Sequence, residues 1–184
     1  MSKLVVITGP SGVGKTTLAN FLLEELCLKR VITCTTREIR KGEIDGIDYN
    51  FFSEDSFKNL IKQQKFAEHA SVYGSCYGVL KKDISNSLES SNSLIILDVQ
   101  GAKSIKKIFK NSVVVFLLPP SEESIFQRIE KRNQDSKESL NKRIQSMKNE
   151  ISLSSNADYQ VVNEDLEACK IHLKKIVENF LNAS

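Results

Sequence analysis

The chain has 184 residues, of which 40% are hydrophobic and 27% are charged. These values are typical of one folded domain with a core of its own, and they exclude a disordered chain. The formal net charge of +3 is too small an excess to indicate a nucleic-acid-binding protein. No apolar run approaches the roughly 20 residues of a membrane span, and the first residues lack the apolar length of a secretion signal. We therefore expect a cytoplasmic protein that binds neither nucleic acid nor a membrane.

The cysteine and histidine content gives no sign of a zinc site or of a disulfide framework. The four cysteines form no Cys-x-x-Cys pair, and the chain has only two histidines. In a reducing compartment such cysteines are free thiols. Whether the protein is a monomer or a homo-oligomer stays open at this point.

Short apolar runs alternate with segments of helical periodicity along most of the chain. The runs predict strands over 3–8, 31–36, 93–98, 112–118 and 159–162. The segments between them predict helices over about 16–28, 54–64, 81–90, 101–109, 121–132, 136–154 and 164–182, the last with Asn163 as its N-cap. The strands are apolar throughout rather than alternating, so we expect a parallel sheet covered on both faces in a three-layer α/β fold.

Residues 37–79 break this alternation. They carry several glycines and arginines together with two short aromatic, strand-like pieces at 49–52 and 66–73. We interpret this stretch as an insertion on the main sheet, forming a small mixed β-lobe.

A glycine-rich turn lies between the first predicted strand and the first predicted helix. It fits the pattern G-x-x-x-x-G-K-[ST] with the residues Gly9-Pro10-Ser11-Gly12-Val13-Gly14-Lys15-Thr16. In such a loop the backbone N–H groups and the helix N-terminus face a phosphate. The lysine reaches the β- and γ-phosphates, and the hydroxyl of Thr16 ligates Mg²⁺. The alternative is a glycine-rich turn without a ligand, but the flanking strand and helix favour a nucleoside triphosphate.

Two classes of phosphate-loop protein come into question. Asp98-x-x-Gly101 satisfies one pattern of GTPase switches, but the guanine-reading Asn-Lys-x-Asp is missing, because Asn141-Lys142 is followed by no aspartate. A kinase that phosphorylates another nucleotide needs a second cationic site and a mobile cover. Arg37 and Arg40 are spaced to converge on one phosphate. The alternative is an exposed charged loop in which carboxylates such as Glu43 neutralise these arginines, and spacing alone does not separate the two.

Further motifs extend over nearly the whole chain. They are Gly9–Thr17, the run T-T-R-x-x-R-x-G-E-x-x-G-x-D-Y-x-F over 35–51, Glu68, Tyr77-Gly78, Asp98-x-Gln100-Gly101, Leu117–Ser121, Arg132–Ser136, Arg143, and Asp158-Tyr159-x-x-x-Asn163. With these motifs the sequence resembles guanylate kinase, a P-loop nucleoside monophosphate kinase. The resemblance implies transfer of the γ-phosphate of ATP to GMP with Mg²⁺. It also implies a P-loop kinase fold in one domain, 1–184, with a core (1–32, 80–120, 156–184), a GMP-binding lobe (about 33–79) and a helical lid (about 121–155).

The resemblance also implies roles for individual residues. ATP would be bound by Gly9, Pro10, Ser11, Gly12, Val13, Gly14, Lys15, Thr16, Thr17, Arg128, Arg132 and Asn163. GMP would be bound by Thr33, Arg37, Arg40, Tyr49, Glu68, Tyr77, Val79 and Asp98. The catalytic residues would be Lys15, Arg37, Arg132 and Arg143, and Mg²⁺ would be held by Thr16 and, through water, by Asp98.

Some of these positions have simpler alternatives. Glu68 could be an exposed strand charge, since exposure is the common case for glutamate. Asp98 could be a helix N-cap before Gly101, and the lid arginines could lie on solvated helix faces. Val79 stands where the family usually has Ser or Thr, which removes a hydroxyl that would help to read guanine.

Two other functions remain as alternatives to a guanylate kinase. One is a non-catalytic guanylate-kinase-like module that binds peptides, although such modules have damaged phosphate loops. The other is a P-loop kinase that acts on a different phosphorylated acceptor, such as a phosphorylated sugar.

Overall fold

The computed structural model of the protein describes residues 2–72, 74–121, 123–124, 145 and 147–183. The strands are β1 (Leu4–Thr8), β2 (Lys29–Arg30), β3 (Cys34–Thr35), β4 (Asn50–Phe51), β5 (Phe66–Val72), β6 (Ser75–Leu80), β7 (Ser93–Ile96), β8 (Ser112–Leu118) and β9 (Tyr159–Val162). The helices are α1 (Lys15–Glu25), α2 (Glu54–Lys62), α3 (Lys81–Ser90), α4 (Val99–Ile108) and α5 (Leu166–Asn182). A 3₁₀ turn covers Ser154–Asn156, and residues 147–152 are helical.

The central sheet consists of parallel strands in the order β2-β7-β1-β8-β9. β1 lies in its middle, with Leu4 opposite Ser93 of β7 and Ser112 of β8. All residues of β1 are buried, which explains why this run is apolar without alternation. Helices α1 and α5 pack on one face of the sheet, and α3 and α4 pack on the other. The predicted three-layer α/β architecture with a parallel sheet is confirmed.

A second, smaller sheet has the order β4-β3-β6-β5. Its pairing is mixed: β3 is parallel to β4, whereas β6 is antiparallel to both β3 and β5. One face of this lobe sheet packs against α2, where Phe57 stacks on Phe66 with ring centroids 4.4 Å apart. The opposite face is not covered by α2.

Three predictions about the elements are wrong. The predicted strand 31–36 is wrong in place and partner: the central-sheet strand β2 precedes it at Lys29–Arg30, and within the stretch only Cys34–Thr35 forms a strand, which pairs with β6 of the lobe sheet. β6 itself is missing from the predicted elements, since its central glycine interrupts the apolar pattern. Asn163 does not cap α5; Asp165 does, accepting a hydrogen bond from the backbone N–H of Ala168.

Helix ends also shift by a few residues. α1 ends at Glu25 rather than 28 and is followed by Cys27 with a φ of 48°. α4 begins two residues before its predicted start, because Asp98 caps it. Most of the predicted lid, 121–155, lies outside the described residues. Among the described residues, no helix combines the length and the apolar character needed to cross a membrane.

Candidate active site

The loop between β1 and α1 has a backbone that only glycine adopts easily. Gly9, Gly12 and Gly14 have φ values of 138°, 81° and 98°, in the region that L side chains rarely occupy. A Cβ atom on Gly9 would lie 2.4 Å from the carbonyl oxygen of Leu117, so the loop also packs directly on β8. Gly14 is the N-cap of α1 and provides no capping side chain, which leaves the first N–H groups of the helix for an anion.

Two side chains hold the shape of this loop. The Lys15 ammonium donates to the carbonyl oxygens of Gly9 and Pro10, at 2.6 Å and 2.9 Å. The Asn163 amide, buried at the end of β9, donates to the carbonyl oxygen of Val13 at 2.8 Å. This hydrogen bond ties the loop at Val13 to the end of β9. Thr16 and Thr17 are exposed at the start of α1.

Asp98 follows β7 at the same edge of the sheet as the loop. The preceding residue, Leu97, still donates to Ile7 of β1 at 3.1 Å, so Asp98 and the loop begin at neighbouring strand ends. Its Oδ1 accepts hydrogen bonds from the backbone N–H groups of Gln100 and Gly101, at 2.8 Å and 2.9 Å. Asp98 is therefore the N-cap of α4, while Oδ2 takes no part in the cap and can still face a ligand.

Glu68 is aimed by a β-bulge in β5. Phe66 pairs with Leu80 and Glu68 pairs with Val79, so β5 has one more residue than β6 between these two pairs. The bulge places Phe66 on the α2 side of the lobe sheet and Glu68 on the opposite side, against α4. A Cβ atom on Gly101 would lie 2.9 Å from Glu68 Oε2, so a glycine is needed there for the carboxyl to fit.

The environment of Glu68 is unusual for a carboxyl group. Only 8% of the residue is exposed, which is against the alternative of a surface charge. No hydrogen bond joins its oxygens to another described residue. Burial, with a smaller contribution from the nearby Asp98 carboxylate, raises the pKa of Glu68 to about 8. A buried acceptor without an internal partner is typical of a site that a ligand completes.

The face of the lobe sheet that carries Glu68 also carries most of the other side chains predicted to bind GMP. Tyr49 and Tyr77 have ring centroids 6.2 Å apart, and the Arg37 guanidinium lies 5.5 Å from the Tyr49 centroid. Thr33 is buried directly before β3, two residues from Thr35.

The remaining predicted residues of the GMP site differ in placement. The Arg40 side chain is exposed at the rim of the lobe, while its backbone N–H contacts Glu43. Val79 is completely buried in the core cluster beneath α3 and α4, so it presents no surface to a ligand in this arrangement. The predicted lid residues Arg128, Arg132 and Arg143 lie outside the described residues.

The chemistry of the loop end suits Mg²⁺. The described residues contain no group of three His, Cys, Asp or Glu side chains that could hold a metal by themselves. Magnesium at a nucleotide keeps waters and phosphate oxygens as ligands and takes only one or two oxygens from the protein. The exposed Thr16 hydroxyl and Asp98 Oδ2 fit that requirement.

The model of the guanylate kinase family matches residues 1–180. The chain belongs to the guanylate kinase family. The guanylate kinase of Caldanaerobacter subterraneus subsp. tengcongensis is 40% identical over 176 residues, which cover 95% of this chain and 85% of the relative. The guanylate kinase of Rickettsia prowazekii is 41% identical over 177 residues, with 95% and 88% covered.

Solved structures agree with the family and its fold. The crystal structure of guanylate kinase from Anaplasma phagocytophilum superposes with a TM-score of 0.81 at 30% identity, covering 100% of this chain and 88% of that chain. Shikimate kinase from Bacteroides thetaiotaomicron superposes with a TM-score of 0.57 at 16% identity, covering 96% and 98%, which shows a shared fold alone. The predicted P-loop kinase fold is therefore confirmed.

Sequence reasoning missed two residues that shape this guanylate kinase site. Thr35 is fully buried. Its hydroxyl donates a hydrogen bond to the Cys76 carbonyl oxygen and accepts one from the Arg37 backbone N–H. The second bond turns the chain from β3 toward the arginine. Glu43 pairs with Arg37, and the sequence suggested it only as a neutralising charge. Both lie inside the T-T-R-x-x-R-x-G-E run, which is the signal that could have found them.

Proposed function

We propose that this chain transfers the γ-phosphate of ATP to GMP, giving ADP and GDP, with the loop 9–17 holding ATP and the lobe sheet holding GMP. This is the reaction of guanylate kinases, the family to which the chain belongs. The observation that carries the acceptor assignment is the buried carboxyl of Glu68, which makes no hydrogen bond to another described residue and lies on the same face as Arg37, Tyr49 and Tyr77.

Glu68 selects guanine by hydrogen-bond complementarity. The ionised carboxylate has only acceptors, and guanine presents donors at N1–H and N2–H₂, whereas adenine presents an acceptor at N1. A base that leaves this buried carboxylate unpaired binds far more weakly. Asp98 Oδ2 lies on the same wall of the site and adds a second acceptor near the base or the metal.

The loop acts on the ATP phosphates through backbone N–H groups and the positive end of α1. Lys15, which the loop carbonyls of Gly9 and Pro10 already hold above the loop, stabilises the charge on the β- and γ-phosphates. Asn163 keeps Val13 in place, and so keeps the backbone donors directed at the phosphates.

The lobe holds the GMP phosphate for attack on the γ-phosphorus. Arg37 and Arg40 supply positive charge, and the hydroxyls of Tyr49 and Tyr77 donate to phosphate oxygens. The attacking oxygen belongs to a phosphate that is already ionised at neutral pH, so no general base is needed. The protein contributes positioning and charge stabilisation without a covalent intermediate.

A metal ion and the lid arginines would complete the site. Thr16 and Asp98 would hold Mg²⁺, which neutralises charge on the ATP phosphates. Arg132 and Arg143 would stabilise the transferring phosphoryl group, with Arg128 on the ATP side.

We propose a cytoplasmic protein, monomeric or homo-oligomeric, with ATP and GMP as partners and neither nucleic acid nor membrane. Its free cysteines support a reducing compartment.

Neither alternative function is favoured. A non-catalytic module would not need Lys15, Gly14 and the strained glycine backbone of the loop, all of which are present. A kinase for a different phosphorylated acceptor is suggested only by Val79, and this buried side chain presents no surface where the missing hydroxyl would act.

A coupled assay of ADP release with GMP, dGMP, AMP and UMP as acceptors tests the proposal. We expect rapid turnover with GMP, slower turnover with dGMP and almost none with AMP or UMP. Equal rates with AMP would contradict the role of Glu68 in selecting guanine. The absence of turnover with every nucleotide would contradict the proposal and would indicate either the binding module or a kinase for a different phosphorylated acceptor.

A further inference from the structure

The carboxylate of Glu43 joins the two arginines of the acceptor lobe. Its Oε1 accepts from Arg37 Nη2 at 2.7 Å, and its Oε2 accepts from Arg37 Nη1 at 3.0 Å. The same Oε2 accepts from the backbone N–H of Arg40 at 2.8 Å, and the Glu43 N–H donates back to the Arg40 carbonyl oxygen at 3.0 Å. One side chain therefore fixes both the guanidinium of Arg37 and the turn that carries Arg40.

The geometry leaves part of the Arg37 guanidinium for a ligand. A guanidinium has five N–H donors: one on Nε and two on each terminal nitrogen. Glu43 takes one donor from each terminal nitrogen, and the carbonyl oxygen of Glu38 takes the second donor of Nη1 at 2.5 Å. The Tyr77 hydroxyl also interacts with the guanidinium. The Nε–H and one Nη2–H are engaged by neither glutamate. These two donors form the other bidentate edge of the fork, which matches two phosphate oxygens.

The surroundings of Arg37 restrict it to this orientation. The side chains of Arg37 and Glu43 are only 14% and 19% exposed. The guanidinium also lies over the rings of Tyr49 and Phe51, at 5.5 Å and 5.7 Å from their centroids. Solvent screens an ion pair this enclosed less than an exposed one, while burial costs both groups part of their hydration.

We propose that Glu43 is a positioning residue for the GMP phosphate: it holds the outer edge of Arg37 and the turn of Arg40, so that the inner edge of Arg37 meets the phosphate in a preset orientation. Glu43 keeps its own contacts when GMP binds. The inference rests on the proposed function, because it assumes that the lobe binds a nucleoside monophosphate.

The opposite role would be that of a competitor. In that case Glu43 would occupy the place of the phosphate in the free protein and would have to leave the guanidinium before GMP could bind. The two roles predict opposite effects of removing its charge, since a positioning residue strengthens phosphate binding and a competitor weakens it.

The test is the substitution Glu43→Gln, with Glu43→Ala as the more severe variant. We measure the KM values for GMP and ATP, kcat, and the inhibition constant of guanosine, which lacks the phosphate. We expect the KM for GMP to rise about tenfold in Glu43→Gln and up to about a hundredfold in Glu43→Ala. The KM for ATP and the guanosine inhibition constant should change less than about twofold, because neither depends on Arg37 orientation.

The matched control is Glu38→Gln, which removes the same charge from the same loop. The Glu38 side chain is exposed, and only its backbone carbonyl contacts Arg37, so the control should retain wild-type GMP kinetics. A double-mutant cycle adds Arg37→Ala. If Glu43 acts through Arg37, Glu43→Gln should have little further effect in that background.

Three results would overturn the inference. Equal or tighter GMP binding by Glu43→Gln would make Glu43 a competitor or a bystander. An equal loss of guanosine affinity would indicate general damage to the lobe. A full effect of Glu43→Gln in the Arg37→Ala background would exclude action through Arg37. A wild-type chain that does not phosphorylate GMP would instead overturn the proposed function, and this inference with it.

Discussion

The two nucleotide sites that we propose for this molecule are built in different ways. The donor site is made of backbone: glycines with positive φ, a helix without a capping side chain, and one lysine held by carbonyl oxygens. The acceptor site is made of side chains that hold one another, such as Arg37 with Glu43 and Tyr49 with Tyr77.

This difference decides how each site responds to change. A backbone site depends on conformations encoded within a few consecutive residues, so it tolerates exchange at exposed positions but not at its glycines. A side-chain site depends on strands that meet only in the folded lobe. Substitution of one supporting residue there should change affinity for one substrate while the other substrate binds normally.

The largest expected effect belongs to the donor site. Lys15→Ala should lower kcat by at least about a thousandfold, because the lysine stabilises charge that develops on the phosphates during transfer. The melting temperature should fall only slightly, because the variant loses the hydrogen bonds of Lys15 to the loop carbonyl oxygens while the core clusters stay intact. Steady-state kinetics and a thermal melt measure both quantities.

The matched control for this lysine is Lys62→Ala, which removes an exposed lysine at the end of α2. Its kinetics should equal those of the wild type. If Lys15→Ala retained a tenth of the wild-type rate, the donor site as described would be wrong.

The next effect belongs to the acceptor site. Glu68→Gln should raise the KM for GMP about a hundredfold, because the amide offers one acceptor and places a donor against the guanine edge. The KM for ATP should change little, so this one variant would show that the two sites respond independently. Kinetics with each substrate varied in turn provide the measurement, and an equal rise in both KM values would contradict it.

The same substitution should change stability in a pH-dependent way. The pKa of Glu68 is about 8 in the folded protein against 4.5 in the unfolded chain, so the folded state holds the extra proton between those values. The free energy of unfolding of the wild type should therefore fall as pH rises from 4.5 to 8, relative to Glu68→Gln. Chemical denaturation of both proteins at pH 5 and pH 8 measures this, and parallel pH profiles would refute it.

A smaller effect should follow from the support beneath the loop. Asn163→Ala removes the hydrogen bond to the Val13 carbonyl oxygen, which contributes about 1–2 kcal/mol to stability at a buried position. We expect the KM for ATP to rise a few-fold and the KM for GMP to stay unchanged. Asn163→Asp, which keeps the size but places a carboxylate oxygen against the carbonyl oxygen, should raise the KM for ATP at least as much as the alanine variant. A wild-type KM for ATP in both variants would show that the loop needs no such support.

The smallest signal is a proton released when GMP binds. Free Glu68 is mostly protonated at pH 7, and the guanine donors favour its ionised form. Asp98 is the charged group that faces it from α4, and Val79 is its apolar neighbour on β6. Calorimetry at pH 7 in buffers of different ionisation enthalpy should give close to one proton released per GMP, after subtraction of the Glu68→Gln value. A difference near zero would show that Glu68 is already ionised or does not meet the base.

The sequence predicts the position of the glycine-rich loop well, because the residues that determine it are close together in the chain. The G-x-x-x-x-G-K-[ST] spacing, the preceding apolar run and the following helix all lie within a short stretch, and the structure has the loop where they predict it. The parallel sheet is predictable for a similar reason, since complete burial makes each strand uniformly apolar.

The structure of the acceptor lobe is harder to predict from the sequence. The orientation of Glu68 depends on a bulge in β5, and no residue type in that strand indicates a bulge. The stretch 31–36 is apolar enough for one strand, yet only Cys34–Thr35 forms one, and its pairing partner in β6 comes from a distant segment of the chain. Asn163 has the chemistry of a helix cap, but tertiary contact directs its amide to the loop instead.

The most direct test of two opposed sites is a crystal structure with GMP and a non-hydrolysable ATP analogue bound together. We predict the analogue's phosphates within hydrogen-bonding distance of the backbone of Gly12, Gly14 and Lys15. We also predict the GMP phosphate against the Nε edge of Arg37 between Tyr49 and Tyr77, with the guanine on Glu68. A GMP phosphate that lies away from these side chains would contradict the account.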